Sequence, residues 1–148
     1  MTDEFKIEYF KILEELRNSK EIGIWPIDAR LENIRDKQDR KSIQFSFITK
    51  LLNTIDNNIS IYDAEIAKLF GFKRPSHSKS RGDRLEEYDY QHLKMYLVYE
   101  YIIANKLLYS IFEVFDKKFP KTNISQTKKL DFICWQAGKL MTLKVTYY

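Results

Sequence analysis

The segment from Arg84 to Phe119 holds neither glycine nor proline and is apolar at helical spacing almost throughout. Leu93, Tyr96, Leu97, Ile103, Ala104, Leu107, Leu108, Ile111 and Phe115 form one stripe, flanked by Tyr99, Tyr101, Tyr109 and Phe112. Such a run predicts one long helix, or two nearly continuous ones, stopped by Pro120. So wide an apolar surface belongs to a central helix contacted on several sides. On that reading, truncating Leu107 or Leu108 to alanine costs about 2–5 kcal/mol. Four glycines and three prolines in 148 residues are too few for the frequent turns of an all-β chain. The expected fold is all-α: one globular domain over residues 1–148, with roughly six helices around Tyr88–Phe119.

The remaining elements follow from the same periodicity. Phe5, Tyr9, Ile12, Leu13 and Leu16 predict an amphipathic helix from about Asp3 to Ser19, capped by Thr2 or Asp3. Gly23 and Pro26 break the chain, and Trp25 is expected to anchor that crossing on the core. A short helix over Asp28–Arg35 carries Ile27, Leu31 and Ile34 on its inner side. The mixed-charge run Asp36–Lys41 suits a solvated helix start. Phe45, Ile48, Leu51, Leu52 and Ile55 then form a helical face that Asp56-Asn57-Asn58 terminates. Asp63 is placed to cap Ala64–Phe70, and Gly71 to close it. Lys73–Arg84 is a polar loop, expected to be mobile. Ser125 caps a last helix with Leu130, Ile133, Cys134, Ala137 and Met141 inside, and Leu143–Tyr148 is β-prone.

Composition removes several classes of function. A net charge of +4, from 25 basic and 21 acidic residues, permits an anionic partner without demanding one. The lone Cys134 allows no internal disulfide and no multi-cysteine metal site, and suits a reducing, cytoplasmic compartment. The N-terminus shows no basic-then-apolar leader pattern, and no apolar run is long enough to span a bilayer, so no membrane partner is expected. His77 and His92 stand in no metal-ligand spacing, and no GxSxG, Walker A or GxGxxG run is present. Neither a metal nor a cofactor is expected.

Four residues are candidates for chemistry. Glu100 falls in the row Leu93, Leu97, Ala104, Leu108, Ile111, where an ionised carboxylate is costly unless paired. Asp63 combines the capping position with a carboxylate's reactivity. Asp131 borders the apolar face of the last helix beside Trp135, and Lys139 follows Trp135 by one turn. An enzyme using Asp63, Glu100 or Asp131 requires these carboxylates to converge in one pocket. The other candidate surface is the cationic loop, where Lys73, Arg74, Lys79, Arg81 and Arg84 face Asp83 alone. Cations on such a segment neutralise phosphates independently of base sequence, and nearby tyrosines can stack on bases.

The stretch Leu52-Asn53-Thr54 to Ile61-Tyr62-Asp63-Ala64 resembles the helix-hairpin-helix DNA glycosylases, in which an apolar helix and a short turn lead to an aspartate that starts the next helix. The resemblance covers Phe45–Phe70 and implies that Asp63 takes the place of that family's catalytic aspartate. The chain departs from the pattern at two points. No glycine lies between Gly23 and Gly71 to form the phosphate-holding hairpin, and Phe45 and Ser46 stand where the bifunctional members carry a Schiff-base lysine, with Lys50 about one turn further on. The resemblance therefore implies a glycosylase-like helical scaffold without glycosylase activity. Leu130-Asp131-Phe132 to Trp135, with Gly138-Lys139, resembles a signature of bacterial proteins to which no function is attached. The leading expectation is a non-catalytic, nucleic-acid-associated binding module working through the loop. The alternatives are a protein-interaction module, self-association included, and the carboxylate enzyme.

Overall fold

The computed structural model describes residues 2–19, 23–35 and 40–144, the last three by backbone alone. Among these residues there are seven helices and no strand: α1 (Asp3–Leu16), α2 (Ile24–Leu31), α3 (Phe45–Ile55), α4 (Ala64–Leu69), α5 (Arg81–Ala104), α6 (Tyr109–Lys118) and α7 (Gln126–Lys144). Asp36–Asp39 of the mixed-charge run and Val145–Tyr148 of the tail lie outside the described residues. Leu143, expected to be β-prone, belongs to α7.

The caps explain most boundaries. Thr2 Oγ1 accepts the Phe5 N–H at the head of α1. Asp63 Oδ1 accepts the Glu65 N–H at 2.9 Å and starts α4, satisfying a donor that has no partner inside the helix. Gly71 follows α4 at φ +68°, a left-handed conformation that costs glycine nothing. Ser80 Oγ accepts from Asp83 N–H, so α5 begins at Arg81 rather than after Arg84. Ser125 Oγ accepts from Lys128 N–H and caps α7.

Packing proceeds from two centres. Phe5, Ile12, Ile27, Leu31, Ile48, Leu51 and Leu52 join α1, α2 and α3. Ile66, Met95, Tyr99, Phe112, Leu130 and Cys134 join α4 to α7. Phe45, Tyr62, Ala67 and Leu85 bridge the two, with Tyr88 stacked on Phe45 at 5.1 Å. The 24-residue α5 supplies side chains to the second centre and to the bridge, which makes it the long central helix of one all-α body.

Three expectations are corrected. Trp25 is half exposed. Pro26 lies in the first turn of α2, where its missing N–H has no role, so the helix starts at Ile24 and turns Ile27 and Leu31 inward and Trp25 out. Met141 is exposed because α7 continues past its partners; Lys139 and Leu140 are exposed too. The long stripe is not covered on several sides. Leu93, Leu97, Tyr101, Leu107, Tyr109 and Ile111 are 43–62% exposed. The helix ends at Ala104, Lys106 takes φ +53°, and α6 restarts at Tyr109. The covered face of α5 is instead Leu85, Gln91, His92, Met95 and Tyr99. Periodicity marks an apolar face but cannot say whether an element of the same chain lies over it.

Candidate functional site

The loop after α4 is fastened at its start. Tyr62 donates its hydroxyl to Gln91 Oε1 at 2.6 Å, Gln91 Nε2 donates to the Lys73 carbonyl at 2.8 Å, and Pro75 is buried. This clamp turns Arg74 and His77 toward Arg84 on α5. There they border a cleft of about 440 Å³ whose far side is formed by Arg35, Arg40, Ser42 and Gln44. Phe5, Ile34, Phe47 and Tyr88 form apolar parts of its wall. Among the described residues four arginines and a histidine line it, and no carboxylate does. Gln44, which borders the cleft, is the N-cap of α3 and makes no capping bond through its side chain. Arg84 Nη1 lies 3.4 Å from His77 Nδ1, while its Nε is buried without a hydrogen-bond partner.

A second cavity of about 360 Å³ adjoins the cleft and shares Ile43, Arg74 and Tyr88 with it. Its walls include Phe45, Tyr62 and Phe72, and the rings of Tyr62 and Phe72 are parallel to within 2°. Burial pushes the Tyr88 phenol up, against the opposing pull of the Arg74 and Arg84 charges nearby. Cationic and aromatic surfaces thus meet at Arg74.

Of the five loop cations, Arg74 and Arg84 line the cleft, and Lys73 is exposed beside Arg74. Lys79 pairs with Glu87 at 2.6 Å. Arg81 makes a two-pronged bond to the buried Asp28, at 2.7 and 3.1 Å, and reaches Glu32. Lys79 thus ties the end of the loop to α5, and Arg81 ties α5 to α2. Arg35 and Arg40 were not singled out from the sequence. They follow α2 and precede α3, and nothing local in sequence joins them to Arg74.

The carboxylates divide differently. Asp63 and Asp131 border one pocket of about 210 Å³, with Lys50, Lys128, Ile61, Ile66, Phe132 and Trp135. Glu100 does not. It is exposed on α5, on the side it shares with Leu93, Leu97 and Ala104, which faces away from both packing centres; this corrects the expectation of an apolar setting. Lys50 Nζ lies 3.3 Å from Asp63 Oδ2. Lys139 stands over the Trp135 ring at 3.7 Å from its centroid.

Asp131 is 4% exposed. Its Oδ1 accepts the Ile61 N–H at 3.0 Å, and Asn53 Nδ2 lies 3.5 Å from Oδ2. Burial pushes its carboxyl up to about 7, opposed by the Ile61 hydrogen bond and the Lys128 charge. Burial also pushes the Lys128 ammonium down, and its Nζ donates to Asn53 Oδ1. The Tyr99 hydroxyl is buried with no well-formed hydrogen bond, yet lies near enough to Asp131 and Cys134 to interact with both. The extended link Ile59–Asp63 is held from three sides: Asn53 Nδ2 to the Ile59 carbonyl, His92 Nε2 against the Ser60 carbonyl at 2.7 Å, and Thr49 Oγ1 accepting Tyr62 N–H. Burial holds His92 below the usual imidazole range. From the sequence Lys50 was noted only as displaced from the Schiff-base position, and Asn53 and Lys128 were not singled out; the i, i+3 pairs 50/53 and 128/131 were the available signal. Among the described residues no group of three or more His, Cys, Asp or Glu is placed to hold a metal, and no helix is long and apolar enough to cross a membrane.

No protein-family model, curated protein or solved structure matches this chain.

Proposed function

We propose that the chain is a nucleic-acid-associated binding module that holds a single strand, with phosphates in the arginine cleft and a base near the Tyr62–Phe72–Tyr88 wall. The observation that carries this reading is a concave surface on which, among the described residues, four arginines and a histidine converge. Such a surface concentrates positive potential and attracts phosphates, and aromatic side chains beside it suit base stacking with little sequence preference. A reducing, cytoplasmic setting fits the single buried thiol of Cys134.

Fluorescence anisotropy of labelled single-stranded DNA, single-stranded RNA and duplex tests it. Single strands are expected to bind more tightly than duplex, with affinity falling as salt rises. Arg74→Ala and Arg84→Ala are each expected to weaken binding roughly tenfold, the worth of one charge-assisted contact, and Lys79→Ala to change it little. No binding of any of the three at low salt, or binding insensitive to salt, rejects the reading.

A second reading is favoured by one observation: Asp131, shifted to about 7, shares a pocket with Asp63. A carboxyl of that kind in a cleft suits proton transfer. Carbon-13 NMR titration of Asp131 decides whether it can carry a proton near neutrality; a midpoint below pH 5 removes this reading.

A further inference from the structure

The uncovered side of α5 has an order that solvent exposure alone does not require. Directly opposite the face packed in the core run Tyr90, Leu93, Leu97, Tyr101 and Ala104, all exposed. Tyr90 is 58% exposed, Leu97 57% and Tyr101 62%. The intervals between the five are three, four, four and three residues. Three- and four-residue steps keep a stripe on one side of a helix, and this particular order is the same read from either end, with Leu97 at its centre.

We infer that this stripe is the interface of a two-fold dimer in which α5 packs antiparallel on α5 of a second copy, the axis passing beside Leu97. A two-fold contact must be self-complementary: whatever one copy presents at a given distance before the axis, it must fit what it presents at the same distance after it. The stripe meets that condition. Leu97 faces its own counterpart, Leu93 faces Tyr101, and bulky Tyr90 faces small Ala104. Antiparallel packing also opposes the two helix dipoles.

The size of the face favours the same occupant. Taking roughly 150–250 Å² for a whole aromatic side chain, the exposed parts of Tyr90, Leu93, Leu97 and Tyr101 amount to about 450 Å², well within the range for the largest apolar patch of a monomer, which is often functional. With a polar rim such as Glu86, Lys94 and Glu100, the buried area approaches the roughly 800 Å² per partner typical of a stable contact. The stripe extends about 21 Å along the helix, so one turn of slip breaks the Tyr90–Ala104 match.

Sedimentation equilibrium and cysteine cross-linking test the inference. The wild-type chain is expected to dimerise at micromolar concentration. Leu97→Glu, which places two carboxylates at the axis, is expected to raise the dimer Kd about a hundredfold or more. Because Leu97 is exposed, helicity by circular dichroism should be unchanged, which separates lost dimer from lost fold. Under mild oxidation Leu97→Cys should link to itself, Tyr90→Cys alone should not, and an equimolar mixture of Tyr90→Cys and Ala104→Cys should link across; Cys134 is buried and does not compete. A monomeric wild-type chain at all concentrations, or a Leu97→Glu dimer as tight as wild type, overturns the inference. Self-linked Tyr90→Cys does so too, because it requires parallel helices.

Discussion

Gly138 brings the backbone of α7 directly against the α4 backbone at Glu65. A Cβ built on it falls 2.2 Å from the Glu65 carbonyl oxygen and 2.7 Å from the carbonyl carbon, against a packing distance of about 3.5–4 Å between carbon atoms. The obstacle is backbone, so no side-chain rotation relieves it. Gly138→Ala must push α4 away from α7 or bend one of them. Overpacking of this kind costs about 1–3 kcal/mol. Alanine also recovers about 1 kcal/mol of helix propensity over glycine. With so short a contact the upper end of the clash applies, leaving a net loss of about 2 kcal/mol, or a fall in Tm of about 4–8 °C for a chain of this size. Thermal unfolding followed by circular dichroism measures it, with Gly82→Ala as the control of opposite sign. Gly82 lies in the first turn of α5 with only Ser80 Oγ nearby, at 3.9 Å, so its replacement should stabilise by up to about 1 kcal/mol. The same contact brings Asp63, at the head of α4, to the pocket it shares with Asp131 on α7. Trp135 fluorescence should therefore shift in Gly138→Ala and stay put in Gly82→Ala. A Gly138→Ala protein as stable as wild type refutes the argument that this glycine is required by close approach.

Two further predictions concern burial. The Asp131 carboxyl is raised in the folded chain, so between about pH 4 and 7 the folded state holds more protons than the unfolded state, and stability falls as pH rises through that window before levelling off; the shift corresponds to about 4 kcal/mol. Urea midpoints of wild type and Asp131→Asn at pH 5 and pH 8 isolate this contribution, and a difference between the two proteins that does not vary with pH contradicts it. Leu107, being 57% exposed, should tolerate alanine within about 0.5 kcal/mol, whereas fully buried Met95→Ala should cost about 2–5 kcal/mol; equal losses in urea titrations would show that the two environments have been confused.

Local structure was legible wherever its cause was local. The α3 face, the Asp63 and Ser125 caps and the Gly71 turn each rest on residues within a few positions of one another. The sites were less legible. Asp63 and Asp131 could be named as suspects, but the bonds from Asn53 on α3 to Asp131 and Lys128 on α7 span more than 70 residues. Arg74 and Arg84 were visible as loop cations, but Arg35 and Arg40 were not, and neither was the diversion of Lys79 and Arg81 to Glu87 and Asp28. Glu100 and Leu107 show the same limit from the other side: helical spacing placed Glu100 correctly on a face but assigned that face to the interior, and it carried the helix through Leu107, which lies in the turn between α5 and α6.

By itself the sequence determined the helical class and those helix ends that a local cap or turn sets, at Thr2, Asp56, Asp63, Gly71 and Ser125, because backbone hydrogen bonding, capping and glycine's left-handed turn act over a few residues. Tertiary structure alone decided which of the two apolar faces of α5 is covered, which arginines share a cleft and which carboxylates share a pocket. Those outcomes depend on where distant segments come to rest, and burial, which sets both the charge state of Asp131 and the exposure of Leu97, exists only once they have done so.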